Sequence, residues 1–214
     1  MNISILISKN SWANNYKKYI KFRLSKFAKK ICFINNHKKI GRNSYVNIIF
    51  SYFHLIERKY LDTARYNIVP HGSDLPKGKG MSPITWQILE GKKEITFSLF
   101  EASNEIDNGN IYLKKKIKIP EYFLFKEIKE LQLKTNLDLI EIFLKKLIKN
   151  KSLKAKKQKG KSTFYKKRDS LDQEIDINKS LKSQINLLRT SDNRFYPPFF
   201  KYKNKKFKIT IEKL

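Results

Sequence analysis

The sequence predicts an α/β fold: an open, mainly parallel twisted sheet flanked by helices, with a small helix and strand appendage toward its C-terminal end. Three observations predict it. Short apolar runs at residues 3–8, 31–34, 45–52, 66–69 and 94–100 have the length and composition of strands. The segment after the first run carries Tyr16, Tyr19, Ile20, Leu24 and Phe27 at spacings of three and four, which is one face of a helix. The order strand, helix, strand, strand then implies parallel pairing under helical cover.

Taken in order, residues 3–8 form the first strand, and Ser11 and Trp12 lead into a helix-like segment reaching about residue 30. Residues 31–34 are a second strand, 35–43 a polar loop and 45–52 a third strand. Residues 66–69 run into Pro70 and His71, and a glycine-containing loop follows at 72–80. Ser82-Pro83 opens a helix, since proline suits a first turn, and Gly91 closes it. Residues 94–100 are the next strand and lead to a loop carrying Asp107 and Gly109. The basic run 113–119 alternates with apolar residues near its end, an edge-strand habit, and Pro120 stops it. Residues 121–149 form a long amphipathic helix with Leu124, Ile128, Leu137, Ile140 and Leu144 among its apolar side. Residues 152–160 read as a basic loop, 176–188 as a helix capped by Asp176, and 207–211 as a terminal strand. The expected division is a domain at 1–150 and a C-terminal extension at 151–214 packed on it, with no separate β-barrel domain.

A chain of 214 residues is long enough for a sizeable core. The one cysteine, Cys32, excludes a disulfide scaffold and fits a reducing compartment. No run approaches the roughly 18 to 20 apolar residues of a membrane span, and the N-terminus lacks a basic leader. A cytoplasmic protein without a membrane partner is expected, and its oligomeric state stays open. No G-x-G-x-x-G follows the first strand, so NAD or FAD is not expected. No His, Cys and carboxylate cluster has metal-ligand spacing, so no metal is expected. The formal net charge is +28, with Lys far outnumbering Arg. It reads first as compositional bias spread over a solvated surface, with nucleic-acid binding as the alternative. Either way a basic field attracts anionic ligands.

The residues themselves point to one site. His71 stands at the end of one strand and Asp107 just past the end of the next. Ligands of open α/β sheets bind outside the carboxyl ends of strands, and a His with a carboxylate there makes an acid/base pair. Lys77, Gly78, Lys79 and Gly80 are candidates to cradle an acceptor phosphate, with an ordinary flexible turn as the alternative.

The stretch 66–112 resembles the formyltransferase family that uses 10-formyltetrahydrofolate, whose members include methionyl-tRNA formyltransferases and amino-sugar N-formyltransferases. The family pattern runs roughly N-x-H-x-S-x-L-P, a Gly-containing loop, a P-I-x-W-like helix start, a glycine bend, then D-x-G-x-I. It is met by His71, Ser73, Leu75-Pro76, Gly80, Pro83-Ile84, Gly91, Asp107, Gly109 and Ile111. The family's Asn two residues before the His is Val69 here, and Asn67 lies four before. A second stretch, with Gln158, Thr163, Tyr165, Arg168, Asp176, Arg189, Pro197 and Phe200, is similar to the family's later pattern. The runs HGSDLPKGKG and DNRFYPPFF look closest to the sugar formyltransferases of surface-polysaccharide pathways.

The resemblance implies a Rossmann-like catalytic domain and transfer of a formyl group from 10-formyltetrahydrofolate to a primary amine. The implied acceptor is a nucleotide-linked amino sugar. The alternatives are methionyl-tRNA, or a degenerate binding domain without catalysis, which Val69 would favour. It implies His71 as base, with Asp107 orienting it. It implies Asn67 as the oxyanion donor if the backbone bulges at Pro70, and otherwise Ser73 or a loop N–H. Tyr52, Phe53, His54, Leu55 and Ile56 would line the folate slot, with Asp107 and Gly109 completing the cofactor side.

Overall fold

The computed structural model describes all residues except Arg42, Asn150, Lys151 and Ser152. The expected domain boundary at 150/151 and parts of the loops at 35–43 and 152–160 therefore lie outside the described residues. The main sheet holds β1 (Asn2–Leu6), β2 (Lys30–Ile34), β3 (Val46–Ile49), β4 (Tyr66–His71), β6 (Glu94–Glu101) and β7 (Ile111–Lys118). Its order is β2-β1-β3-β4-β6-β7. The two-residue β5 (Lys79–Gly80) stands apart from it and pairs with β8 (Phe164–Tyr165).

The first four strands pair in parallel, as strand, helix, strand order implies. β6 and β7 do not: β4 pairs with β6, and β6 with β7, in antiparallel fashion. Helix α3 (Pro83–Leu89) therefore leads into a strand that returns down the sheet, rather than into another parallel crossover. The basic strand β7 lies at the sheet edge.

Strand side chains alternate between faces, and the two faces differ here. One face carries Ile3, Ile5, Val46, Ile48, Ile68, Phe97 and Leu99. These pack with Ile20 and Leu24 of α1 (Lys17–Leu24), Ile84 and Ile88 of α3, and Leu137, Ile140 and Phe143 of α4 (Phe125–Ile148). Each such fully buried side chain contributes about 1.5–3 kcal/mol. The opposite face holds a smaller cluster of Leu6, Ile40, Ile49, Ile56 and Leu61, with Tyr52, Val69 and Ala102 against it. Its cover is short: a turn at His37–Lys39, the segment after β3 and α2 (Arg58–Leu61). His71 follows Val69 by two residues and so opens onto this thinly covered face.

Several boundaries move for local reasons. α4 begins at Phe125 rather than residue 121, because the Leu124 N–H donates to Glu127 Oε2 at 2.8 Å and the chain before it turns at Pro120. The helix expected at 176–188 is α5, Leu181–Thr190. Asp176 does not cap it: its Oδ1 accepts the Asn178 N–H in a local turn, and Ser180 Oγ accepts the Ser183 N–H as the cap. The terminal strand is β10 (Lys205–Lys208), paired antiparallel with β9 (Phe199–Tyr202). Lys203 and Asn204 join them with φ of 44° and 59°, the positive pair of a two-residue hairpin turn. α5 packs on α3 and α4, and Arg189 Nη1 donates to the Pro120 carbonyl at 3.1 Å.

Candidate active site

β4 pairs with β3 and β6 without interruption, so no bulge forms at Pro70. The bulge on which an oxyanion role for Asn67 depended is therefore absent. Asn67 lies four residues before His71, about 13 Å along an extended strand. Its Oδ1 accepts from Asn47 Nδ2 at 2.8 Å and its Nδ2 donates to the Leu61 carbonyl at 3.0 Å, so its amide is committed inside the sheet.

The His71 side chain is 10% exposed. Its Nε2 lies 2.9 Å from the Gly78 carbonyl, and its Nδ1 faces Asp107 Oδ2 at 3.7 Å. A carbonyl only accepts, so Nε2 carries a proton, which leaves Nδ1 as the nitrogen that faces the carboxylate. Because β6 is antiparallel, with Glu101 opposite Ile68, the loop after β6 starts three rungs behind His71. Asp107 reaches the imidazole by folding back, not from a shared carboxyl edge. Asp107 itself has φ 49°, a left-handed conformation uncommon for a residue with a side chain. The loop closes tightly: a Cβ on Gly109 would stand 1.6 Å from the Glu101 carbonyl oxygen.

The loop proposed to cradle a phosphate has no free amide at its turn. Gly78 N–H donates to Thr163 Oγ1 at 2.8 Å, Lys79 N–H to the Thr163 carbonyl at 2.9 Å, and Gly80 N–H to Asp107 Oδ2 at 2.8 Å. A backbone nest for an anion needs those donors unpaired. Lys79 is buried, its Nζ donating to Asn108 Oδ1 at 2.6 Å, and only Lys77 of the two lysines is exposed. Ser73 behaves differently from the rest of the loop. It is 1% exposed, and its Oγ has no hydrogen-bond partner.

The candidate folate-slot residues divide. Ile56 is buried in the smaller cluster and Tyr52 packs against it, its hydroxyl 2.8 Å from His37 Nδ1. Phe53, His54 and Leu55 are exposed. Burial pushes the His37 imidazole below its ordinary range, so it holds Tyr52 as a neutral ring. Beneath the site, Glu101 accepts the Asn67 N–H and the Tyr112 hydroxyl, each at 2.7 Å. Desolvation raises its carboxyl above the usual carboxylate range, and the phenol of Tyr112 is pushed up by burial and by that carboxylate. Sequence reading gave no role to Glu101, which sits as the last residue of a strand with nothing to mark it. Among the described residues no group of three His, Cys, Asp or Glu could hold a metal ion, and no helix is long and apolar enough to cross a membrane.

A model of the formyl transferase family matches residues 2–134. The chain belongs to the formyl transferase family. The bifunctional polymyxin resistance protein ArnA of Wigglesworthia glossinidia brevipalpis is 30% identical over 193 residues, covering 87% of this chain and 29% of that protein. The chain spans no more than about half the length of the curated relatives it matches. Among solved structures, methionyl-tRNA formyltransferase from Clostridium thermocellum superposes with a TM-score of 0.80 at 22% identity, over 100% of this chain and 93% of that one. A sugar N-formyltransferase from Shewanella superposes with a TM-score of 0.72 at 16% identity, over 99% and 97%. These superpositions share the formyltransferase fold.

Proposed function

We propose that this chain transfers a formyl group from 10-formyltetrahydrofolate to a primary amine, and that the amine belongs to a nucleotide-linked amino sugar. The observation that carries the proposal is the His71 imidazole, held through Nε2 by a carbonyl and facing a carboxylate through Nδ1. The bound donor supplies the formyl carbon. The chain's own residues supply the rest. Nδ1 of His71 accepts the proton shed by the attacking amine, and Asp107 stabilises the imidazolium that results. The Ser73 hydroxyl, buried and without a partner, is the side chain available to donate to the carbonyl oxygen as it gains charge. The flat heterocycle would lie against the small apolar cluster on the same face, beside Tyr52, Ile56 and Val69.

The fold shared with the Shewanella sugar enzyme and the resemblance of the run HGSDLPKGKG to sugar formyltransferases support the sugar acceptor. The second reading, methionyl-tRNA, is favoured by the net charge of +28 and by the relatives named for that activity. A panel of UDP- and dTDP-linked amino sugars beside methionyl-tRNA, each offered with 10-formyltetrahydrofolate in single turnover, separates the two. Formylation of a sugar supports the proposal. Formylation of tRNA alone replaces it with the second reading. Donor binding without transfer to any acceptor points to the non-catalytic domain that Val69 suggests.

A further inference from the structure

Both partners of the His71 ring are themselves held by one segment, the chain that crosses back over the site after α4. Lys156 is tied to the start of β7 by a reciprocal pair of backbone hydrogen bonds with Ile111, each 2.8 Å. Two residues on, Gln158 Nε2 donates to the carbonyl oxygens of both Asp107 and Gly109 at 2.8 Å. Carbonyls only accept, so the amide can face them only through its NH2 group, and its Oε1 is left buried without a partner. These two bonds bracket the left-handed Asp107 turn. Five residues further, Thr163 Oγ1 accepts the Gly78 N–H, and the Thr163 carbonyl accepts the Lys79 N–H. Gly78 is the residue whose carbonyl meets His71 Nε2. The segment is then anchored to α3, with Tyr165 stacked on Trp86 at 11° and Trp86 Nε1 donating to the Lys166 carbonyl at 2.9 Å.

We infer that Gln158 and Thr163 are positioning residues for His71: Gln158 aims the Asp107 carboxylate at Nδ1, and Thr163 aims the Gly78 carbonyl at Nε2. Neither touches the apolar slot. Both lie beyond the family-matched span of 2–134, so the acid/base pair is completed by chain outside it. Without the Thr163 hydroxyl the peptide unit before Gly78 can rotate and carry the Gly78 carbonyl with it, although the Thr163 carbonyl still holds the Lys79 N–H; without the Gln158 amide the Asp107 turn can rotate. The ring then loses the acceptor that meets its Nε2–H, or the carboxylate that faces its Nδ1. A buried unpaired Oε1 is a standing cost that an apolar side chain of the same length would avoid, and it is tolerated where the NH2 end has a task.

This inference rests on the formyl-transfer proposal for its kinetic arm only. The protein has three histidines, so 15N-labelled imidazole signals resolve His71 with His71→Ala as the assignment control. In the folded wild-type protein the neutral His71 ring is expected to show a protonated Nε2 and an unprotonated Nδ1. Thr163→Val is expected to move these signals toward a mixture of tautomers, Thr163→Ser to restore them, and Gln158→Met to shift Nδ1 alone. With an active acceptor, Thr163→Val and Gln158→Met are expected to lower kcat about 10- to 100-fold with KM for the donor within about twofold, as misplacement of a reacting group does. Unchanged His71 signals in folded Thr163→Val and Gln158→Met would overturn the inference, whatever happens to the rate. A failure of Thr163→Ser to restore the wild-type signals would do the same. If no acceptor is ever formylated, the spectra still decide it, and only the functional proposal falls.

Discussion

Val69, His71 and Ser73 lie at the end of β4 and just beyond it, and have three different fates. Val69 packs into the small apolar cluster, His71 is held through Nε2 and faces Asp107 through Nδ1, and the Ser73 hydroxyl has no partner among the described residues. His71 and Asp107 were legible because their flanking residues match an ordered pattern at its spacing. Asn67 was not, since nothing in the sequence says that Asn47 on the neighbouring strand takes its carbonyl oxygen. Ser73→Ala removes an unsatisfied buried hydroxyl, so thermal unfolding is expected at or above the wild-type temperature. Its kcat is expected to fall about 10²- to 10³-fold, as for a lost oxyanion donor. A drop in stability with kcat intact would assign Ser73 a packing role instead. Glu101 yields a prediction in pH. Its folded-state carboxyl is raised by desolvation, so the protonated form is favoured in the native protein. Its contribution to stability is therefore fully present below the ordinary carboxylate range and is lost as pH rises through the raised value. Glu101→Gln keeps the acceptor for Asn67 and a donor for Tyr112. It is expected to unfold at a higher temperature than wild type at pH 8, with the two converging near pH 4.5. Parallel curves across that range would show that Glu101 is ionised at no cost.

At the level of elements, strands and helices of the first half were readable from period and punctuation, and the edge position of β7 from its lysines. The direction of β6 was not. A helix between two strands implies a parallel crossover, and the antiparallel return depends on packing that the local pattern does not contain. The consequence reaches the site, because only a folded-back loop can then carry Asp107 to His71. Gly109 makes that loop possible, since the added Cβ would meet backbone rather than a movable side chain. Gly109→Ala is expected to destabilise the fold by about 1–3 kcal/mol or more. Gly41→Ala, where a Cβ meets nothing within 4 Å, should unfold as wild type does. Equal melting temperatures for the two variants would mean that the 107–110 turn is not as close to β6 as described. The phosphate cradle failed for a related reason. The loop 77–80 has the composition of a nest, yet its Gly78 and Lys79 N–H groups are taken by the sequence-distant Thr163 and its Gly80 N–H by Asp107.

Across the whole molecule, the charge of +28 is not one patch. Lys114, Lys115 and Lys116 of the edge strand pair with Asp74, Asp138 and Glu94. The crossing segment beside the site carries exposed Lys154, Lys156, Lys157, Lys159 and Lys161. For a nucleotide-linked acceptor with two phosphates, KM is expected to rise less than about tenfold between 50 and 200 mM salt, whereas a tRNA acceptor contacting many phosphates would lose about 10³-fold or more. The measurement that tests the central claim most directly is formyl transfer by wild type, His71→Ala and Asp107→Asn, with donor binding titrated in parallel. His71→Ala is expected to bind 10-formyltetrahydrofolate as wild type does, and Asp107→Asn to retain measurable binding, since its amide oxygen can still accept the Gly80 N–H. Transfer is expected to fall about 10²- to 10⁴-fold in His71→Ala and to a lesser extent in Asp107→Asn, where no carboxylate remains to stabilise the imidazolium. Wild-type rates in His71→Ala would contradict the assignment of the acid/base pair.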